Sequence, residues 1–430
     1  MSNRLGVNSQ VLALALARMT ESVGNSFLIV VLPLFIGSEL VSGNTFGLTE
    51  VAVTGVVLSL FGFVNSPLQP FTGRLSDRTG RRKIFVLAGL LLIGVASFSY
   101  SLASAYWHLV GLRVLQGVAG ALIIPTTVAL VNDLASESNR GGNMGTYNTF
   151  RLVGFGVGPI AAGAVVSAGP YTVGLRGTQI QFSGFDAAFY FATLTASVSF
   201  FLILSLIRDP DKIETDAAAD EADAGALDGF SVLDRSGRGF LDPVFTLGVV
   251  SFFMAVGIAL FATLGDIINT RLDQGPTLFG LQFAAFVLAQ IFLQVPIGRA
   301  TDFYGRKVFI VAGTVLLVPT TLVQGVIYDP WLMFAARFAQ GVAGAMVFAP
   351  ALALAGDLAP DGKSGSTLSV LTMAFGFGVA FGPLAAGFLV SFGFVVPFAF
   401  GASLAALGVV LVWTQVEEAM TPRRSLFSAD

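Results

Sequence analysis

The chain has 430 residues, of which 54% are hydrophobic and only 11% charged, with a mean hydropathy of +0.80 and a net charge of −3. Soluble domains carry about a quarter charged residues, so this chain has too little polar surface to face water, and its weak acidity excludes nucleic acid as a partner. It has no cysteine and one histidine, His108, which removes disulfides, thiol chemistry and the usual zinc sites; no cofactor is expected.

The first apolar stretch begins near Val11 and runs past Phe35. That is too long for a cleaved signal peptide and reads as a first span. A helix needs about 20 apolar residues to cross a core of about 30 Å. With that ruler the first half predicts spans over roughly 10–36, 49–72, 84–105, 107–131, 143–168 and 187–207, and the second over roughly 243–268, 277–298, 308–328, 331–354, 366–391 and 394–415. Nothing in these segments alternates with period two, and 50 glycines argue against strands. The fold class expected is an all-α membrane protein of twelve transmembrane helices in two six-helix halves, 1–207 and 241–430.

Between the halves, Arg208–Phe240 has few large apolar residues and an Ala/Asp/Glu run from Asp216 to Asp228, the composition of an unstructured linker. Of the 23 Lys and Arg, only Arg176 and Arg271 fall in one set of loops. Four lie within spans (Arg18, Arg113, Arg151, Arg337), and the rest face the opposite side. By the positive-inside rule both termini and the linker are cytoplasmic, in the plasma membrane.

The halves repeat one another. Gly73-Arg-Leu-Ser-Asp77-Arg-Thr-Gly80-Arg81-Arg82-Lys83 matches Gly298-Arg-Ala-Thr-Asp302-Phe-Tyr-Gly305-Arg306-Lys307, 225 residues on. Arg113-Val-Leu-Gln-Gly117 matches Arg337-Phe-Ala-Gln-Gly341, Asp133-Leu-Ala matches Asp357-Leu-Ala, and Gly154-xxx-Gly158-Pro159 matches Gly378-xxx-Gly382-Pro383, all 224 residues on. Six spans per copy keep both copies in one orientation, and parallel repeats of this kind place a substrate site near the bilayer midplane.

These motifs resemble the major facilitator superfamily over essentially the whole chain. The loop Gly73…Asp77…Gly80-Arg81-Arg82 resembles the signature between helices two and three, with its second copy (Gly298, Asp302, Arg306) between eight and nine. Gly145-x8-Gly154-xxx-Gly158-Pro159-xx-Ala162-Gly163 resembles the helix-five motif of proton-coupled antiporters, drug exporters above all; Ala162 departs from its usual Gly. The resemblance implies a cytoplasmic gate in which Asp77 faces the amino end of helix eleven and Arg81 pairs with Asp133. A second gate of Asp302, Arg306 and Asp357 is expected to be weaker, because Phe303 and Tyr304 replace Arg78 and Thr79. The glycine face Gly154/Gly158, with Gly378/Gly382 in the other half, lets a neighbouring helix approach closely, and Pro159 and Pro383 bend their spans. In antiporters that face is held to seal the two halves.

Ionisable groups within spans are costly and concentrate at functional sites. Glu21 lies roughly 17–20 Å from the inner face and Arg113 roughly 21 Å, at ~1.5 Å per residue. Glu21 is therefore the candidate proton and cationic-substrate site, its alternative role being a structural partner of Arg113 or Arg18. Arg18 and Arg151 lie somewhat closer to the inner face, and Phe375 stands at the repeat position of Arg151. Asn25, Gln116 and Tyr147 are polar residues that either line a cavity or bond a neighbouring helix, and Phe252, Phe253 and Met254 are candidates for an apolar pocket wall. The expected function is secondary active export of small apolar or cationic molecules by a monomer in the lipid bilayer, driven by protons. Alternatives are a metabolite, sugar or organic-anion transporter, favoured by three intramembrane arginines, and a non-transporting membrane sensor. No Ser/His pair, metal set or nucleotide-binding loop is visible, so an enzyme is not expected.

Overall fold

The computed structural model describes residues 9–38, 40–134, 140–175, 178–209, 232–233, 240–358 and 364–418. The linker's acidic run Asp216–Asp228 lies outside the described residues, as does Arg176. The first half supplies α1 (Ser9–Ile36), α2 (Glu50–Thr79), α3 (Arg82–Ser99), α4 (Tyr106–Leu134), α5 (Arg140–Ala168) and α6 (Gly184–Leu206). The second supplies α7 (Pro243–Thr263), a short α8 (Gly265–Arg271), α9 (Pro276–Tyr304), α10 (Arg306–Leu322), α11 (Pro330–Leu358), α12 (Ser364–Leu389) and α13 (Val395–Gln415). Twelve of these helices, all but α8, are long and apolar enough to cross a membrane, as their composition predicts.

Local chemistry sets the helix ends. The Thr49 hydroxyl accepts from the Ala52 N–H at the start of α2, and Ser183 and Asp186 form a capping box on α6. Gly80 closes α2 in the left-handed conformation (φ +62°), which only glycine adopts without cost, and α3 begins two residues later.

Two features were not anticipated from the sequence. The long connection 169–186 holds an antiparallel hairpin of β1 (Tyr171–Leu175) and β2 (Thr178–Phe182). Its Thr-Gln-Ile-Gln-Phe run alternates polar and apolar residues, the period of a strand. The seventh span, expected to reach residue 268, breaks at Leu264, and the chain continues as α8.

The chain divides into two compact units, Met1–Thr215 with Ala262–Ala284, and Asp216–Phe261 with Ala285–Asp430. In the first, α1 packs on α5 and α6, α2 on α4, and α3 on α4 and α6. Its core gathers Leu14, Ala17, Leu90, Ile123, Tyr147 and Ile203, all buried. In the second, α10 packs on α11 and α13, around a core that includes Met254, Ile310, Ala351, Leu354 and Leu371. Close packing of small residues replaces the hydrophobic driving force that lipid does not provide.

Candidate functional site

The repeated glycines set the register of this site. A methyl group at Gly154 would fall 2.2 Å from the Met19 carbonyl oxygen, and one at Gly158 would fall 2.5 Å from that of Val23. In the second half Gly378 and Gly382 lie in the same way over the carbonyls of Phe252 and Val256. The GxxxG faces therefore pack α5 on α1 and α12 on α7. Contact with α9 begins at Pro159 and Gly163, which press on Gly280 and Pro276, and Ser167 and Thr277 share a hydrogen bond of 2.9 Å.

That packing matches Met19 to Phe252, and hence Glu21 to Met254. Glu21 is buried (4% exposed) and paired with Arg18 one turn before it, Nη1 to Oε2 at 2.5 Å. Arg151, on α5, also acts electrostatically on Glu21, as Tyr147 does on Arg18. Tyr147 shares a hydrogen bond of 2.7 Å with the hydroxyl of Thr127 on α4. The corresponding residues of the second half are Met254 for Glu21, Ala351 for Thr127, Leu371 for Tyr147 and Phe375 for Arg151. Met254, Ala351 and Leu371 are buried in one core, and Phe375 packs against it. One fold thus carries a charged cluster in its first copy and, apart from the buried Ser251 at the place of Arg18, apolar packing in its second. Met254 is accordingly core rather than pocket wall, while Phe252 and Phe253 are half-buried and in ring contact.

Arg113 does not join Glu21. Its Nη1 donates to Gln116 Oε1 at 3.1 Å, an atom that also accepts from the Tyr100 hydroxyl at 3.1 Å. Arg337 repeats the bond, donating to Gln340 at 2.5 Å, with its guanidinium 4.3 Å from the centre of the Phe261 ring. An arginine that bonds the glutamine one turn on in both halves is architecture shared by the repeats. Asn25 is half-buried on α1.

The repeated Gly-Arg…Asp loops hold ion-pair triangles, with one correction to the expected partners. Asp133 pairs with Arg82, Nε to Oδ2 at 2.6 Å, and not with Arg81; Arg82 also reaches Asp77 at 3.2 Å. Arg82 is buried, whereas Arg81 is exposed just before α3. In the second half Arg306 pairs with Asp302 at 3.8 Å and with Asp357, so that triangle is complete too, though its Asp302 arm is longer than the Asp77 arm. Sequence reasoning missed a second tie. The Lys83 N–H donates to Asp209 while its ammonium donates to the Leu204 and Ile207 carbonyls at the end of α6. Lys307 repeats this with Glu418 and the Trp413 carbonyl at the end of α13. Each lysine meets the negative end of one helix, and each carboxylate the positive end of another.

We expect Arg82→Gln to lower thermal stability by about 2 kcal/mol, less than the ~3–5 of a fully buried pair because Asp77 is exposed. Arg81→Gln should match the wild type. Melting curves of the purified variants compare the two, and equal effects would remove the assignment of Arg82.

The family model for the Major Facilitator Superfamily matches residues 14–272 and 245–428. The chain belongs to this superfamily. It is a multi-pass membrane transporter and not an enzyme. The quinolone resistance protein NorA of Staphylococcus aureus (strain MRSA252) is 24% identical over 424 residues, covering 95% of this chain and 97% of that protein. Among solved structures, a D-xylose–proton symporter superposes with a TM-score of 0.74 at 15% identity, covering 97% of this chain and 98% of that one. A variant of the nucleoside transporter NupG gives 0.71 at 14% identity, covering 94% and 98%. At such identities these structures establish the fold alone.

Proposed function

We propose that this transporter exports small apolar or cationic compounds in exchange for protons, with Glu21 as the group that binds the proton. The observation that carries the reading is the buried Arg18–Glu21 pair, flanked by Arg151, where the second half has the uncharged Ser251, Met254 and Phe375. A carboxylate in such surroundings is stable either ionised beside a cation or neutral, and its choice changes with access to water. The full-length similarity to a quinolone resistance protein supports export. In this reading the chain acts as a monomer in the plasma membrane, both termini cytoplasmic, by alternating access of two six-helix halves. The triangles at Arg82 and Arg306 act as gates whose ties change with each cycle. Arg151 favours a second reading, transport of an organic anion or metabolite, since it is the one span arginine of the first half with neither Glu21 nor Gln116 as its direct bonding partner.

Purified protein in vesicles, with an imposed pH gradient, separates these readings. Tetraphenylphosphonium should be driven by the gradient and fluorescein should not. Identical rates with and without the gradient would end the antiport reading, and driven fluorescein alone would favour the anion carrier.

A further inference from the structure

Two spans carry a pair of amides at their centres. Asn65 and Gln69 lie one turn apart at the middle of α2, and Gln290 and Gln294 lie one turn apart at the middle of α9. The repeat offset of 225 residues places Gln290 on Asn65 and Gln294 on Gln69, and each pair belongs to one compact unit. At about 100° per residue, both pairs are turned away from the exposed rings of Phe63 and Phe71 on α2 and of Phe292 on α9. Asn65 is 6% exposed, and its buried Oδ1 has no hydrogen-bond partner among the described residues. The half-buried side chains of Gln69, Gln290 and Gln294 make no hydrogen bond to a described residue either. The neighbouring helix leaves room for the first amide of each pair. A methyl group at Gly120 of α4 would lie 3.3 Å from Asn65 Oδ1, and one at Gly344 of α11 would lie 3.5 Å from Gln290 Nε2.

Architecture does not account for these amides. The glutamines that the two halves share for packing are bonded, Gln116 to Arg113 and Tyr100, and Gln340 to Arg337 and Thr321. A primary amide offers two N–H donors and two lone pairs, and leaving them unmade at the depth of a bilayer is costly. Polar groups kept in spans without a protein partner serve what passes through the protein. We infer that Asn65 with Gln69, and Gln290 with Gln294, are hydrogen-bonding sites for the transported compound, recognising uncharged amino, hydroxyl or carbonyl groups on an otherwise apolar or cationic body. An amide both donates and accepts, so these sites take varied polar groups, whereas a carboxylate or guanidinium selects by charge. The inference rests on the export reading for the class of compound, and not on Glu21.

Two lipophilic monocations test it with full-length protein in vesicles. Ethidium carries two aromatic amino groups, and tetraphenylphosphonium has no hydrogen-bonding group. We expect Asn65→Leu, Gln69→Leu, Gln290→Leu and Gln294→Leu each to raise the KM for ethidium about tenfold and to leave that for tetraphenylphosphonium unchanged. The melting temperature should hold or rise in each, because leucine removes a polar group that bonds nothing in the protein. Variants that melt lower and raise both KM values together would make the amides structural and overturn the inference. Unchanged ethidium kinetics in all four overturn it too, as does a wild-type protein that carries tetraphenylphosphonium and not ethidium. An ethidium effect confined to one pair overturns the assignment of the other. Wild-type protein that carries neither cation ends the export reading itself, and this inference with it.

Discussion

Glu21→Gln is expected to reduce pH-gradient-driven transport to its rate without a gradient, while substrate exchange across the membrane continues. Glutamine keeps the shape of the side chain and cannot hold a removable proton. It also leaves Arg18 buried without its counter-charge, which costs ~3–5 kcal/mol where a pair is fully dehydrated. Loss of transport in this variant alone would thus have two explanations, coupling and folding. The double variant Arg18→Gln/Glu21→Gln separates them, because it removes the uncompensated cation. Stability should return toward wild type in the double variant, and gradient-driven transport should not. Recovery of both together would make the pair structural and remove Glu21 from the mechanism. The measurements are melting of the purified protein and transport in vesicles with and without the gradient.

The second large effect is expected at the α1–α5 contact. Gly154→Ala places a methyl group 2.2 Å from the Met19 carbonyl oxygen, and Gly158→Ala places one 2.1 Å from Ser26 Oγ and 2.5 Å from the Val23 carbonyl oxygen. Backbone oxygens on a packed helix do not swing aside, so α1 and α5 must separate, at about 3 kcal/mol for each change. The separation also moves Arg151 and Tyr147 away from Arg18 and Glu21, so coupling should weaken with stability. Gly145 belongs to the same motif, and a methyl group there would meet no described atom within 4 Å. Gly145→Ala should therefore be neutral or stabilise by about 0.5–1 kcal/mol, since alanine is the better helix former. Opposite signs within one motif are the test, read as melting temperatures. A Gly154→Ala protein as stable as wild type would show that this contact does not hold the bundle.

Much of this architecture was legible in the chain because lipid imposes a single ruler on apolar length, and each span meets it without help from its neighbours. The gate shows the limit of such reading. The repeat offset falls from 225 before Gly80 to 224 at Arg113, so one extra residue lies between them. Sequence spacing does not say which arginine is extra. Burial does: Arg82 enters the triangle that Arg306 makes in the other half, and Arg81 stays in solvent. The hairpin of β1 and β2 lies outside the spans, where the lipid ruler on apolar length says nothing about structure.

At the candidate site the same division holds. Arg18 and Glu21 are one helical turn apart, so their pairing follows from the spacing, and Glu21 stands out as a carboxylate deep in an apolar run. Depth along the membrane also suggested Arg113 as a neighbour. Depth is one coordinate of three, and rotation about the helix axis turns Arg113 toward Gln116 and Tyr100 instead. Thr127 carried no signal, because a threonine in a span usually bonds its own helix, as this one also does.

By itself, the sequence determined the spans, the duplication, the motif residues and the presence of one deep carboxylate, since each follows from composition or from spacing along a single helix. Only the tertiary structure decided which groups surround that carboxylate. Arg151 acts on it from α5, and Tyr147, also on α5, acts on its partner Arg18 and bonds Thr127 of α4, through a glycine face that brings α5 onto α1 at backbone contact. It also decided that the second copy has Met254, Ala351, Leu371 and Phe375 at the same places. That comparison rests on the packing register of α1 and α7, which carry no shared motif and align only through the glycines pressed against them.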